Sequence, residues 1–212
     1  MGLTKPSGGG GEYAELIFRI CATRVGSFGI QFPITIRPPA LVTRTISFAT
    51  SKGFGANIAP KPFDVAKEMV RVTRSGGRIV MGNWIPNDPT LVAQILKISA
   101  AYTPPPPEGF VSPMTWGVEN HVIERFGAAG IPADRISFAR DTYRFEFPGT
   151  PKEFVATFTG FYGPTMNAVE AAEKNGRREE LVRELETLFT SQNESKTATS
   201  IPATYLRVTV RV

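Results

Sequence analysis

With a single cysteine, Cys21, and a single histidine, His121, the chain cannot close an internal disulfide or assemble a cysteine/histidine zinc site. Long apolar runs are missing too. The nearest approach, Leu16 to Ala22, is interrupted by Arg19 and followed by Arg24, so no membrane span is expected. Nor does the start have the order of a secretory signal, because Gly8 to Gly11 come first and charges recur after them. The expectation is a cytoplasmic protein. What is scarce early in the chain is negative charge. Residues 1–60 carry Lys5, Arg19, Arg24, Arg37, Arg44 and Lys52 against Glu12 and Glu15, so nearly all of the net charge of +5 sits there. These cations are scattered, with no helical stripe and no nucleic-acid-binding signature, so nucleic acid is not the expected partner.

What is present reads as two compositions joined. Residues 1–52 form an atypical basic leader of weak pattern, with a Gly-rich start and a Pro38-Pro39 break. From Lys61 the punctuation becomes orderly. Asp64 is a plausible N-cap, Val65, Met69 and Val72 recur at helical spacing, and Gly76-Gly77 ends the helix. Arg78 to Trp84 then reads as a strand, with Ile79-Val80-Met81 covered on both faces. A helix feeding a buried strand through a double glycine predicts the α/β class.

Further along, Asp88-Pro89 starts a helix whose apolar face is Leu91, Val92, Ile95, Leu96 and Ile98. Pro104 to Pro107 make a stiff connector. A short helix is predicted over 118–126 and a strand over 136–147, with Tyr143, Phe145 and Phe147 on one side and Arg144 and Glu146 on the other. Thr150-Pro151-Lys152-Glu153 has capping-box spacing. Helices follow over 165–174 and 177–190. The last strand, 205–212, alternates so cleanly that it suits an antiparallel edge partner with one wet face.

The stretch Phe63 to Trp84, with its Ser-Gly-Gly turn, resembles the late core of class I S-adenosylmethionine-dependent methyltransferases, where a helix and glycine turn feed the fifth strand of a Rossmann-like sheet. Gly53-Phe54-Gly55 through Pro60, Tyr102 with Pro104 to Pro107, Ser112-Pro113, Trp116-Gly117 and Phe161-Tyr162-Gly163-Pro164-Thr165 are similar to the ubiquinone-biosynthesis-like branch. The resemblance covers residues 53–212. It implies a Rossmann-like methyltransferase sheet, incomplete at the N-terminus, with a small helical cap over about 104–195. It also implies S-adenosylmethionine as cofactor and a small-molecule methyl acceptor. The glycine-rich cofactor loop expected before Gly53 is not recognisable, since Gly8 to Gly11 follow no strand and Gly26-Ser27-Phe28-Gly29 lacks the preceding acid.

Methyl transfer asks for an in-line approach with water excluded, so shape can matter more than a catalytic triad. No catalytic residue is singled out. By the resemblance, Phe54 and Gly55 would lie beside the cofactor. Asn83 and Trp84, at the carboxyl end of the strand, would anchor and wall the acceptor, because open α/β sheets bind ligands there; the alternative is an aromatic covering the sheet end with a capping amide. Tyr102, Trp116, Phe161 and Tyr162 would line a lid. The alternative for these aromatics is ordinary core. His121 is either a general base or a solvated surface residue. Glu179, Glu180, Glu184 and Glu186 with Arg177, Arg178 and Arg183 resemble a salt-bridged helix face. The alternative to an enzyme is a non-catalytic ligand-binding or dimerising remnant, with a homodimer as the partner.

Overall fold

Proline at the first helical position fixes where the first helix begins. The structure, a computed structural model, describes residues 59–212. Within them α1 runs Pro62–Val72, three residues before the start that an Asp64 cap implies, and Asp64 falls in its first turn instead of at its cap. The double glycine then does what its conformational freedom allows: Gly76 adopts φ 74°, a region that disfavours side chains. Its N–H donates to the Val212 carbonyl at 2.8 Å, and the Val212 N–H donates to the Gly77 carbonyl at 2.9 Å. The turn is thereby stapled to the last residue of the chain.

After this turn β1 spans Arg78–Trp84. The next helix, α2, spans Leu91–Ala100. It starts later than Asp88-Pro89 predicts, because Asp88 works from outside the helix: its Oδ1 accepts from the Thr90 N–H at 2.9 Å and from the Thr90 hydroxyl. A 3₁₀ turn, Pro113–Gly117, leads into α3, Glu119–Gly127. The long strand β2 is Ile136–Phe147, followed by α4 (Pro151–Phe161), α5 (Gly163–Lys174), α6 (Arg178–Gln192) and β3 (Thr199–Arg211).

The capping box at α4 forms as its spacing predicts. Glu153 N–H donates to Thr150 Oγ1 at 3.3 Å, and Thr150 N–H donates to Glu153 Oε2 at 2.7 Å. That backbone N–H, and then the Thr150 hydroxyl, hold the Glu153 carboxyl below the usual carboxylate range. A carboxylate whose folded value is lowered stabilises the fold fully above its ordinary range, and that contribution fades as pH falls through the lowered value. Thr150→Ala is expected to cost about 1 kcal/mol in urea denaturation. The gap between Glu153→Gln and the parent protein should close on acidification; a gap that widens toward acid would contradict the sign.

The sheet order is β1-β3-β2, and both ladders are antiparallel. The last strand is antiparallel, as its alternation predicts, but one expectation is corrected: β3 is the central strand, not an edge partner. No parallel pair occurs among the described residues. The reason lies in how the chain returns. Because α6 delivers it to the end at which β2 stops, Thr199 pairs with Phe147 and β3 must run back along β2. The architecture is a mixed α/β one.

Two cores result, on opposite faces of the sheet. Along β3 the buried residues are Thr199, Ile201 and Ala203, then Leu206, Val208 and Val210. The parity changes between them. Since successive side chains in a strand point to opposite faces, the first half of β3 is buried on one face and the second half on the other. On the first face Ile201, Ala203, Phe145 and Trp84 pack against α2, α4, α5 and α6. On the second, Leu206, Val208, Val210, Ile79, Met81 and Ile136 pack against α1, α3 and Trp116. Val80 is only half-buried, so β1 is not covered on both faces along its whole length.

Candidate functional site

The carboxyl end of β1 is closed from above by the 3₁₀ turn. Gly117 lies so near that a Cβ placed on it would be 1.9 Å from the Trp84 carbonyl oxygen and 3.1 Å from Ile85 Cα. Next to it Trp116 is 1 % exposed, packed edge-on to Phe126 at 6.3 Å between ring centroids. The Arg125 guanidinium lies over the Trp116 ring at 4.4 Å and donates through Nη2 to Thr115 Oγ1 at 2.6 Å. Thr115 in turn donates to the Ser112 carbonyl at 2.6 Å. The loop leaving β1 is equally fixed: Gln94 Nε2 donates to the Asp88 carbonyl at 2.6 Å, and Thr204 N–H to the Thr90 hydroxyl at 2.8 Å.

The residues read from the sequence as one acceptor site are distributed between the two cores. Asn83 and Trp84 are both buried, but strand alternation sends them to opposite faces. Trp84 stacks on Phe145 at 6.2 Å and meets Tyr205 edge-on at 6.3 Å, in the same core as Tyr102 and Tyr162. Trp116 belongs to the other core. Tyr102 donates its hydroxyl to Glu184 Oε1 at 2.8 Å, and Arg177 covers its ring at 4.4 Å. Burial, with the Glu184 bond added, pushes the Tyr102 hydroxyl up to about 12. Tyr162 packs against Phe158 at 5.2 Å, while Phe161 is 54 % exposed on the other side of α4. Phe54 and Gly55 lie outside the described residues, as does the whole basic leader.

His121 is at the surface, its Nδ1 3.5 Å from Glu124. The acidic and basic cluster is a helix face, as expected, with Arg177 and Glu180 paired at 2.8 Å. Glu184 is the exception, drawn inward to Tyr102. Two surface grooves are lined by none of Asn83, Trp84, Tyr102, Trp116 and Tyr162. One, about 460 Å³, lies along Ile98, Arg183, Glu184 and Leu188. The other, about 550 Å³, lies between Pro60–Asp64 and α3, and takes in Val111, Thr115, His121 and Arg125. Arg125 and Thr115 did not stand out in the sequence. The available signal was a lone arginine at helical spacing with Val122 and beside Phe126, on a face otherwise apolar.

No protein-family model matches the chain. The chain is 33% identical over 116 residues to uncharacterized proteins of Mycobacterium tuberculosis and of Mycobacterium bovis. The match takes in 54% of this chain and 40% of each relative, so the chain spans well under two thirds of the length of the curated relatives it matches. Among the described residues, no helix is long and apolar enough to cross a membrane.

Proposed function

We propose that this chain is the C-terminal part of a class I S-adenosylmethionine-dependent methyltransferase of Rossmann-like fold, acting on a small-molecule acceptor. The observation that carries the reading is the α1, double-glycine turn and β1 unit. Its strand enters a helix-covered sheet with Ile79 and Met81 each 1 % exposed. Helices on both faces of the sheet suit a doubly wound α/β arrangement. The two outer strands run in the same direction on either side of one reversed strand, which suits a mixed sheet. The outer edge of β1 pairs with no described strand, so a longer parallel sheet would continue from there.

In this reading the cofactor supplies the methyl group from its sulfonium. The described residues do not form a cofactor cradle by themselves. Asp88, the carboxylate in the loop leaving β1, is already bound by Thr90, and Asn83 and Trp84 diverge. Their contribution is to order the sheet tip and exclude water from it, through Trp116 and the close seat of Gly117. Calorimetric titration of the purified chain with S-adenosylhomocysteine tests the proposal. Binding at micromolar strength would support it.

One observation favours a second reading, a non-catalytic ligand-binding or dimerising remnant. Trp84, Tyr102, Trp116 and Tyr162 are all at most 7 % exposed and serve as core. An absence of heat and of thermal shift with S-adenosylhomocysteine would select it over methyl transfer.

A further inference from the structure

We propose that the groove between Pro60–Asp64 and α3 binds a small organic anion, a carboxylate carried on an apolar body, through Arg125. This site stands apart from methyl transfer and does not depend on it. Arg125 is 3 % exposed, yet none of the seven ion pairs among the described residues includes it. Its guanidinium carries five donors. Nη2 bonds the Thr115 hydroxyl, while Nη1 is buried with no acceptor among the described residues. A charge taken out of water without a counter-charge is costly, and a buried donor left unmatched adds to the cost. Burial accordingly draws the Arg125 guanidinium below its ordinary range, with the neighbouring Glu124 offsetting part of this.

Arg125, with its partner Thr115, lines this groove. Its volume of about 550 Å³ is that of a small-molecule site. Thr115 and Arg125 give it a polar end. Pro60, Pro62, Phe63 and Val111 give it an apolar lip, and Phe63 and Val111 are 45 % and 38 % exposed. Among the other charges on its wall Lys61 offsets Asp64 in sign, and Glu124, 3.5 Å from His121 Nδ1, is the one carboxylate left without a balancing cation. A planar carboxylate is the group that a guanidinium fork binds in two-pronged fashion, and an apolar body would cover the exposed Phe63.

The test uses the full chain and three probes: benzoate, its neutral counterpart benzyl alcohol, and acetate. Binding is read from the indole N–H of Trp116 and the amides of Phe63, Thr115 and His121 in nitrogen-15 spectra. Benzoate is expected to give saturable shifts at these positions. Benzyl alcohol and acetate should each bind at least about tenfold more weakly, the first for want of charge-assisted hydrogen bonds and the second for want of a body. Arg125→Met should abolish the preference for benzoate. Since that variant could fail to fold, Phe63→Asp, at an exposed position, provides an independent arm and should weaken benzoate about tenfold. Equal binding of benzoate and benzyl alcohol, no shifts through millimolar benzoate, or undiminished benzoate binding by Phe63→Asp would each overturn the proposal.

Discussion

Gly117→Ala is expected to cost about 3 kcal/mol or more, lowering the melting temperature by roughly 6 to 12 °C, or to prevent folding outright. The added methyl would stand 1.9 Å from the Trp84 carbonyl oxygen and 2.8 Å from its carbon. Both are backbone atoms of the last residue of β1, held by the β3 ladder, so neither can swing aside as the end of a side chain could. Relief would require the 3₁₀ turn to lift, and Trp116 would leave its core with it. Gly160→Ala provides the contrast. It is an exposed position inside α4, where a Cβ meets nothing within 4 Å. That change should be neutral or stabilise by up to about 1 kcal/mol. Thermal unfolding followed by circular dichroism measures both. A Gly117→Ala protein as stable as its parent would show that the 3₁₀ turn does not seat on the strand tip.

Elements whose signals are local were legible in the sequence. The strands over 78–84 and 136–147 appear with the predicted bounds, because turn residues delimit both and the second alternates aromatic with charged side chains. The Thr150 capping box is complete within four residues. The last strand shows where local reading stops. It begins at Thr199, six residues before the predicted start, through a segment that contains Pro202. Proline argues against a central strand, since it has no N–H to donate. Yet β1 pairs only with residues 205–211 of β3, and Pro202 faces Arg144 of β2 alone, so along that half β3 is in effect an edge. Asn193 completes the unexpected start: its Oδ1 accepts from the Ser200 N–H at 2.7 Å, and its Nδ2 donates to the Ser195 and Ala198 carbonyls at 3.0 Å. Such a tertiary arrangement leaves no periodic trace.

The candidate site was less legible for a related reason. Adjacent residues such as Asn83 and Trp84 look like one wall when written in a line, but a strand separates neighbours by a whole sheet thickness. The aromatic motifs that suggested a lid were real packing motifs. Tyr162, for instance, ends α4, and Thr165, fully buried, donates its hydroxyl to the Phe158 and Tyr162 carbonyls at 2.6 and 2.8 Å to turn the chain into α5. Periodicity marks a residue as inward-facing. It does not say whether what lies inside is a neighbour's ring or a ligand.

Truncation at the centre of the aromatic cluster distinguishes those two roles. Phe158, 4 % exposed, touches four rings: Phe145 at 5.7 Å, Phe154 at 5.0 Å, Tyr162 at 5.2 Å and Phe189 at 5.2 Å between centroids. These rings come from β2, α4, the α4–α5 junction and α6, so the cavity left by Phe158→Ala has walls that cannot collapse together. The expected loss is about 3 to 5 kcal/mol in urea denaturation with an unchanged slope. Phe161→Ala, on the exposed side of the same helix, should stay within about 0.5 kcal/mol of the parent. A double-mutant cycle of Phe158 with Phe189 should return a coupling of about 0.5 to 1.5 kcal/mol. If Phe158→Ala instead cost under about 1 kcal/mol, a value small for a fully packed ring, the rings around it would be loosely held. Trp84, Tyr102 and Tyr162 would then suit a yielding lid better than a core, and ligand contact would again be the better account of their place in the sequence.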